Sequence, residues 1–145
     1  MIKTAKLTIM PENSLITKDF KQVDYYDTYR IIKSTNNTAE EIANNIFQLP
    51  NWAKLLLSIR NFAVKFLGLK KGKFAVIEKN KNEIVMGDND KHLNFRVSVL
   101  IDKANSFIYL TTLVSYNNIL GRIYFFLIKP FHKMICKAIL KSKYD

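Results

Sequence analysis

The chain has 145 residues, 48% hydrophobic and 24% charged, which suits one domain with a packed core and is too apolar for a disordered chain. Its 23 Lys and Arg against 12 Asp and Glu give a net charge of +11. That charge fits nucleic acid, anionic lipid or an acidic ligand, but a Lys-, Asn- and Ile-rich composition also follows from an A- and T-rich genome. One cysteine, Cys136, excludes an internal disulfide and a cysteine-based zinc cluster, and the opening MIKTAKLTIM lacks the apolar run of a secretory signal.

No internal repeat, low-complexity tract or Gly-, Pro- or Ser-rich linker divides the chain, so one domain over residues 1–145 is expected. Residues 22–33, QVDYYDTYRIIK, predict a strand. Tyr25, Asp27, Tyr29 and Ile31 alternate with Asp24, Tyr26, Thr28 and Arg30, so both faces carry polar groups, as in a strand that lines something wet. STNNT is a loop, and Thr38 followed by Glu41 makes a capping box for a helix that carries Ile42, Ala43, Ile46 and Phe47 on one side until Pro50 stops it. Trp52, Leu55, Leu56, Ile59, Phe62, Ala63 and Phe66 recur at helical spacing and predict a second helix closed by Gly68.

After the basic turn KKGK, four strands are expected at 74–79, 83–88, 92–101 and 106–116, separated by NKN, DND and DKAN as in an antiparallel meander. The strand 92–101 has the clearest two-residue alternation, with Leu93, Phe95, Val97, Val99 and Ile101 on one face. Asn117 and Asn118 suit a turn and an N-cap. From there to about Lys141 the pattern is helical, roughly 35 Å long at 1.5 Å per residue. Its predicted apolar stripe is Leu120, Tyr124, Leu127, Ile128, Phe131, Ile135, Ala138 and Ile139, with a kink near Lys129 caused by Pro130. Arg122, Lys129, Lys133 and Lys137 interrupt this helix too often for a membrane span, so a soluble, cytoplasmic protein is expected.

The order strand, two helices, four strands, long helix predicts an α+β fold. A curved antiparallel sheet is covered on its apolar face by the C-terminal helix, two short helices plug one end, and a cavity lies between sheet and helix. This order resembles the helix-grip fold of the START-like (SRPBCC) superfamily. PNWAKLLLSIRN at 50–61, GDNDKHLNFRVSVLI at 87–101 and YNNILGRIYFFLIKPFHKMI at 116–135 resemble the bacterial domain-of-unknown-function 2867 family. In that family the 92–96 piece usually reads HLDFR, and Asn94 replaces its Asp here. The resemblance implies a fold and a candidate pocket, and no reaction.

GDNDKH has too few convergent carboxylates for a calcium loop and reads as a hairpin turn. His92 and Arg96 share a face with Asn94 and Ser98. They are expected to meet solvent or a neighbouring strand, with Arg96 paired to Asp88 or Asp27, or else to anchor a ligand's carboxylate or phosphate. Arg60 would pair at the surface or stand at a cavity mouth, and Trp52 would pack as core or lid. The strand tyrosines either line a cavity or pack the sheet. Cys136 falls in an apolar run and is expected to be an inert core thiol.

The sequence thus supports a small binding module holding an apolar or amphipathic molecule, lipid-like or aromatic, in that cavity. The candidate ligand-binding residues are Tyr26, Trp52, Arg60, His92, Arg96, Tyr109 and Tyr124. The sequence assigns no catalytic residue, no metal and no cofactor. One alternative is an enzyme using Tyr26 with Asp24 or Asp27 for acid–base work. Another is a peripheral membrane or partner-binding protein acting through the basic C-terminal helix, where Arg122, Lys129, Lys133, Lys137 and Lys141, with Phe125 and Phe126 beside them, suit an anionic membrane surface. No RNA-binding or helix-turn-helix motif accompanies the charge, so nucleic acid is not the expected partner.

Overall fold

The computed structural model describes residues 6–18, 20, 22–46 and 75–144. In chain order these form β1 (Lys6–Leu7), a 3-10 turn (Leu15–Thr17), β2 (Tyr25–Ile32), α1 (Ala39–Ile46), β3 (Ala75–Lys79), β4 (Glu83–Asn89), β5 (Leu93–Asp102), β6 (Phe107–Tyr116) and a C-terminal helix, α2 (Ile119–Tyr144). The predicted second helix, with Trp52 and Arg60, lies outside the described residues.

The architecture is α+β, an open antiparallel sheet in the order β1-β2-β6-β5-β4-β3 with helices on one face. The predicted meander is present as β3 to β6, and β2 closes onto the far side of β6 with Tyr25 opposite Val114 and Ile32 opposite Phe107. The polar spacers turn the chain through their own side chains: Asn80 Oδ1 accepts from the Asn82 and Glu83 N–H groups, and Asp102 Oδ1 accepts from that of Asn105. GDNDKH is likewise a hairpin, with Asp90 N–H donating to the Leu93 carbonyl.

Pairing register fixes which residues share a face. Tyr29, Ile31, Val97, Val99, Ile101, Ile108 and Leu110 form one buried layer. α1 caps it with Ala39, Ile42, Ala43 and Ile46, and α2 adds Cys136 and Leu140. The capping box forms as the sequence predicts: Glu41 N–H donates to Thr38 Oγ1, and Thr38 N–H donates back to Glu41 Oε2.

α2 has 26 residues, about 39 Å at 1.5 Å per residue, and runs through Pro130. Its start is fixed by two contacts to the β4–β5 turn and one N-cap bond. Asn117 N–H donates to the His92 carbonyl, the Asn118 side chain meets His92 Nδ1, and Asn118 Oδ1 caps Gly121 N–H. Gly121 is required here because a Cβ would run into the His92 carbonyl. This docking sets the helix phase, and the phase differs from the predicted stripe. Tyr124 and Phe125 are buried while Leu120, Phe126 and Leu127 are exposed.

The opposite face of the sheet is covered as well. Of the two expected settings, Arg96 and Ser98 take the neighbouring strand and not solvent: they donate to the Asp88 carbonyl and to Glu83 of β4, and both are buried. The segment around the 3-10 turn covers this face, packing Met10, Leu15, Ile16 and Phe20 onto Val85 and Leu113. Glu83, 3% exposed, clamps it down by accepting from Ser14 Oγ at 2.5 Å, Leu15 N–H at 2.9 Å and Ser98 Oγ at 2.6 Å. Thr28 and Thr111 pair beside it at 3.1 Å, and the Arg96 guanidinium lies over the Phe20 ring.

Candidate functional site

A polar group in the apolar helix-side layer must be satisfied or serve something. On this face the break comes in β2. Strand alternation turns Tyr25, Asp27 and Tyr29 toward α2, with Thr112 of β6 directly opposite Asp27. Asp27 is 4% exposed. His132 and Cys136, four residues apart on α2 and therefore on one side of it, come down over Asp27.

The contacts are short. Tyr25 Oη donates to Asp27 Oδ2 at 2.6 Å, and His132 Nε2 lies 3.0 Å from the same oxygen. Cys136 Sγ lies 3.6 Å from His132 Nε2 and 3.8 Å from Nδ1. Among the described residues, Asp27 Oδ1 and Thr112 Oγ1 are buried with no hydrogen-bond partner. Tyr25 and Phe125 pack with ring centroids 4.7 Å apart, Lys129 Nζ lies 4.9 Å from the Tyr25 ring centroid, and Tyr116 continues the aromatic edge. Tyr25, Tyr116, His132 and Ile128 are all partly exposed, so the seam opens to solvent along one side.

The electrostatics follow from this packing. Burial by itself disfavours the charged His132 ring, but charge on Cys136 and the hydrogen bond and charge of Asp27 outweigh it and hold the imidazole up to about 10. Burial, then the bond to Asp27, raises the Tyr25 phenol well above its ordinary value, and Tyr29 is pushed up to about 12 by burial and the Asp27 charge. At neutral pH His132 is therefore held protonated and Tyr25 neutral on either side of Asp27.

A nucleophilic Cys-His-Asp triad needs thiol and carboxylate on opposite ring nitrogens. Here the carboxylate takes Nε2 and the sulfur is nearly equidistant from both nitrogens, so that relay is not built. What the group can do is offer hydrogen-bond acceptors, exchange a proton through Tyr25 and His132, or present oxygen, nitrogen and sulfur donors within 4.8 Å of one another.

The sequence-predicted residues do not gather in one place. Tyr26, Arg96 and Tyr109 stand on the face away from α2, His92 is in the β4–β5 turn, and Tyr124 is buried under α2 beside Leu93 and Val114. Asp27 lies across the sheet from Arg96, whose Nη1 donates to the Asp88 and Phe95 carbonyls. The tyrosine that meets a buried carboxylate is Tyr25, on Asp27's own face, and Tyr26 is half exposed on the other. Cys136 is buried as expected but sits against a histidine. The His132-x3-Cys136 spacing was the available signal, and its carboxylate partner could be found only from the fold.

No curated protein and no solved structure matches the chain significantly. The model of a family described as a protein of unknown function (DUF2867) matches residues 20–139, and with β2 to β6, most of α2 and the seam between β2 and α2 inside that span, the chain belongs to this family.

Proposed function

We propose that the chain is a helix-grip domain of the START-like kind that holds an amphipathic small molecule along the seam between β2 and α2. The observation that carries this reading is the pair of partnerless buried polar atoms, the acceptor Asp27 Oδ1 and the Thr112 hydroxyl, behind a half-open aromatic edge. A buried acceptor without a donor costs about 1–3 kcal/mol, and a ligand that supplies the donor recovers it. The polar end of the ligand therefore carries donors, as an alcohol or amine does, and its apolar part lies against Phe125, Tyr116 and Tyr25.

The test is thermal melting of the full chain with long-chain alcohols, long-chain amines and fatty acids of matched length, with a chelator present. Alcohols or amines should raise the midpoint, fatty acids should raise it less, and Asp27→Asn should erase the difference. No shift with any of them overturns the reading.

A second reading is favoured by the outer side of α2. Ile119, Ile123, Phe126, Leu127 and Met134 are exposed there, between exposed Arg122, Lys133 and Lys137. No helix among the described residues is long and apolar enough to cross a membrane, but an apolar stripe flanked by cations suits the surface of an anionic one. Flotation with phosphatidylserine vesicles at low salt, lost in high salt, is the expected result, and no flotation at low salt ends that reading.

A further inference from the structure

We propose that Asp27, His132 and Cys136 bind a divalent transition-metal ion of the zinc class. The proposal rests on the site described above but not on the organic ligand assigned to it.

The donor chemistry comes first. A carboxylate, an imidazole and a thiol are together too soft a set for magnesium or calcium, and suit zinc, cobalt, iron or nickel. The geometry comes second. Bonds of about 2.1 Å to nitrogen and oxygen and about 2.3 Å to sulfur, directed to tetrahedron corners, place nitrogen about 3.4 Å from oxygen and about 3.6 Å from sulfur. Here His132 Nε2 is 3.0 Å from Asp27 Oδ2 and 3.6 Å from Cys136 Sγ, and the three donors lie within 4.8 Å of one another. The nitrogen–sulfur length fits, but the sulfur lies 3.8 Å from Nδ1, where an ion on Nε2 would leave about 5 Å, so binding needs the imidazole to turn its Nε2 toward the thiol and the oxygen edge to open by a few tenths of an ångström.

Two further observations point to an ion rather than to an ordinary ion pair. Asp27 Oδ1, in a side chain 3% exposed, has no hydrogen-bond partner. The Tyr25 hydroxyl donates to the other oxygen, as an outer partner commonly does for a ligating carboxylate, fixing its orientation. The carboxylate is thus held in place with a lone pair unspent. His132 and Cys136 sit on one helix at the four-residue spacing that presents two ligands to the same ion, and the strand supplies the third across the seam. Three protein donors leave a fourth position for water or the heteroatom of a bound alcohol or amine, the arrangement of a working site rather than a structural one.

The test uses the full chain, stripped with chelator and titrated with cobalt(II), with no organic ligand present. Because the chain has one cysteine, a thiolate-to-cobalt charge-transfer band can come from Cys136 only. That band should appear with tetrahedral ligand-field bands, saturate at one equivalent, and disappear when zinc is added. Cys136→Ser should abolish it. Asp27→Asn and His132→Gln should weaken cobalt binding at least about tenfold, the loss that removing even an outer partner causes.

Absence of the band in the wild-type chain overturns the proposal whether or not any variant folds, and so does a band that both Asp27→Asn and His132→Gln leave unchanged. Melting shifts with alcohols or amines in chelator read the organic ligand, and cobalt spectra read the metal, so each reading can fail without the other.

Discussion

Glu83→Gln is a direct test of how the outer face of the sheet is closed. The carboxylate holds three donors: Ser14 Oγ and Ser98 Oγ on one oxygen, Leu15 N–H on the other. A glutamine keeps one acceptor oxygen, which can still serve the two hydroxyls, but its NH2 then meets the Leu15 N–H donor to donor. Losing that charge-assisted bond costs about 2 kcal/mol, and weakening the other two to neutral bonds costs about 1 more. Relief from burying a charge offsets part of this, leaving roughly 2–3 kcal/mol. Because the clamp acts on one segment, the loss should appear there first. Urea unfolding reports the global change. Amide exchange at Leu15, and at Thr8, whose N–H donates to the Thr28 carbonyl at 2.8 Å, reports the local one. Exchange there should rise roughly 30- to 150-fold if opening of the segment dominates, since each 1.4 kcal/mol is tenfold. Ser98→Ala, which removes one hydroxyl, should cost about 1 kcal/mol. If Glu83→Gln stays within about 0.5 kcal/mol of wild type and exchange at Thr8 and Leu15 does not change, the clamp is wrong.

Three further outcomes are expected. Leu140, fully buried in the main core near the end of α2, should cost about 3 kcal/mol as Leu140→Ala in urea unfolding, and a loss under about 1 kcal/mol would mean that this end of the helix does not pack on the sheet. Gly121→Ala should destabilise by about 2 kcal/mol, because the new methyl meets the His92 carbonyl, whereas an unobstructed helix would gain up to about 1 kcal/mol from the same change. In metal-free protein the His132 imidazolium, held up to about 10 against 6.5 in the unfolded chain, contributes stability that is complete below pH 6.5 and disappears as pH rises through 10. Between about pH 7 and pH 9 wild type should lose roughly 2–3 kcal/mol relative to His132→Gln, and parallel pH profiles for the two would refute the raised imidazole beside Cys136 and Asp27.

What the sequence could disclose depended on whether an element carries its own period. In β5, Leu93, Phe95, Val97, Val99 and Ile101 point one way because every second residue must, and the structure keeps that face toward the helices. The capping box at Thr38 and the N-cap at Asn118 are local hydrogen bonds and were equally readable. The covering of the other face was not, because Met10, Leu15, Ile16 and Phe20 have no regular spacing and acquire a partner only when Glu83 gathers them. The pattern therefore leaves solvent and a neighbouring strand equally open for Arg96 and Ser98, and the fold chooses the strand and buries them.

The site shows a third kind of dependence, on helix phase. Phe125 and Phe126 are chemically identical neighbours, yet one is 4% exposed and the other 75%. Hydrophobic periodicity cannot choose between them when apolar residues surround the helix, and α2 has apolar residues on both its inner and outer sides. The choice is made at the helix start, where Asn118 and Gly121 lock onto His92. Each residue turns the helix by 100°, so a shift of one position there would bring Phe126 inward and carry His132 and Cys136 away from Asp27. The close approach at Gly121 thus has a consequence more than ten residues further on. It decides whether a buried carboxylate on β2 meets an imidazole and a thiol or the lysines that follow each of them, Lys133 and Lys137, and hence whether this fold has its mixed-donor site at all.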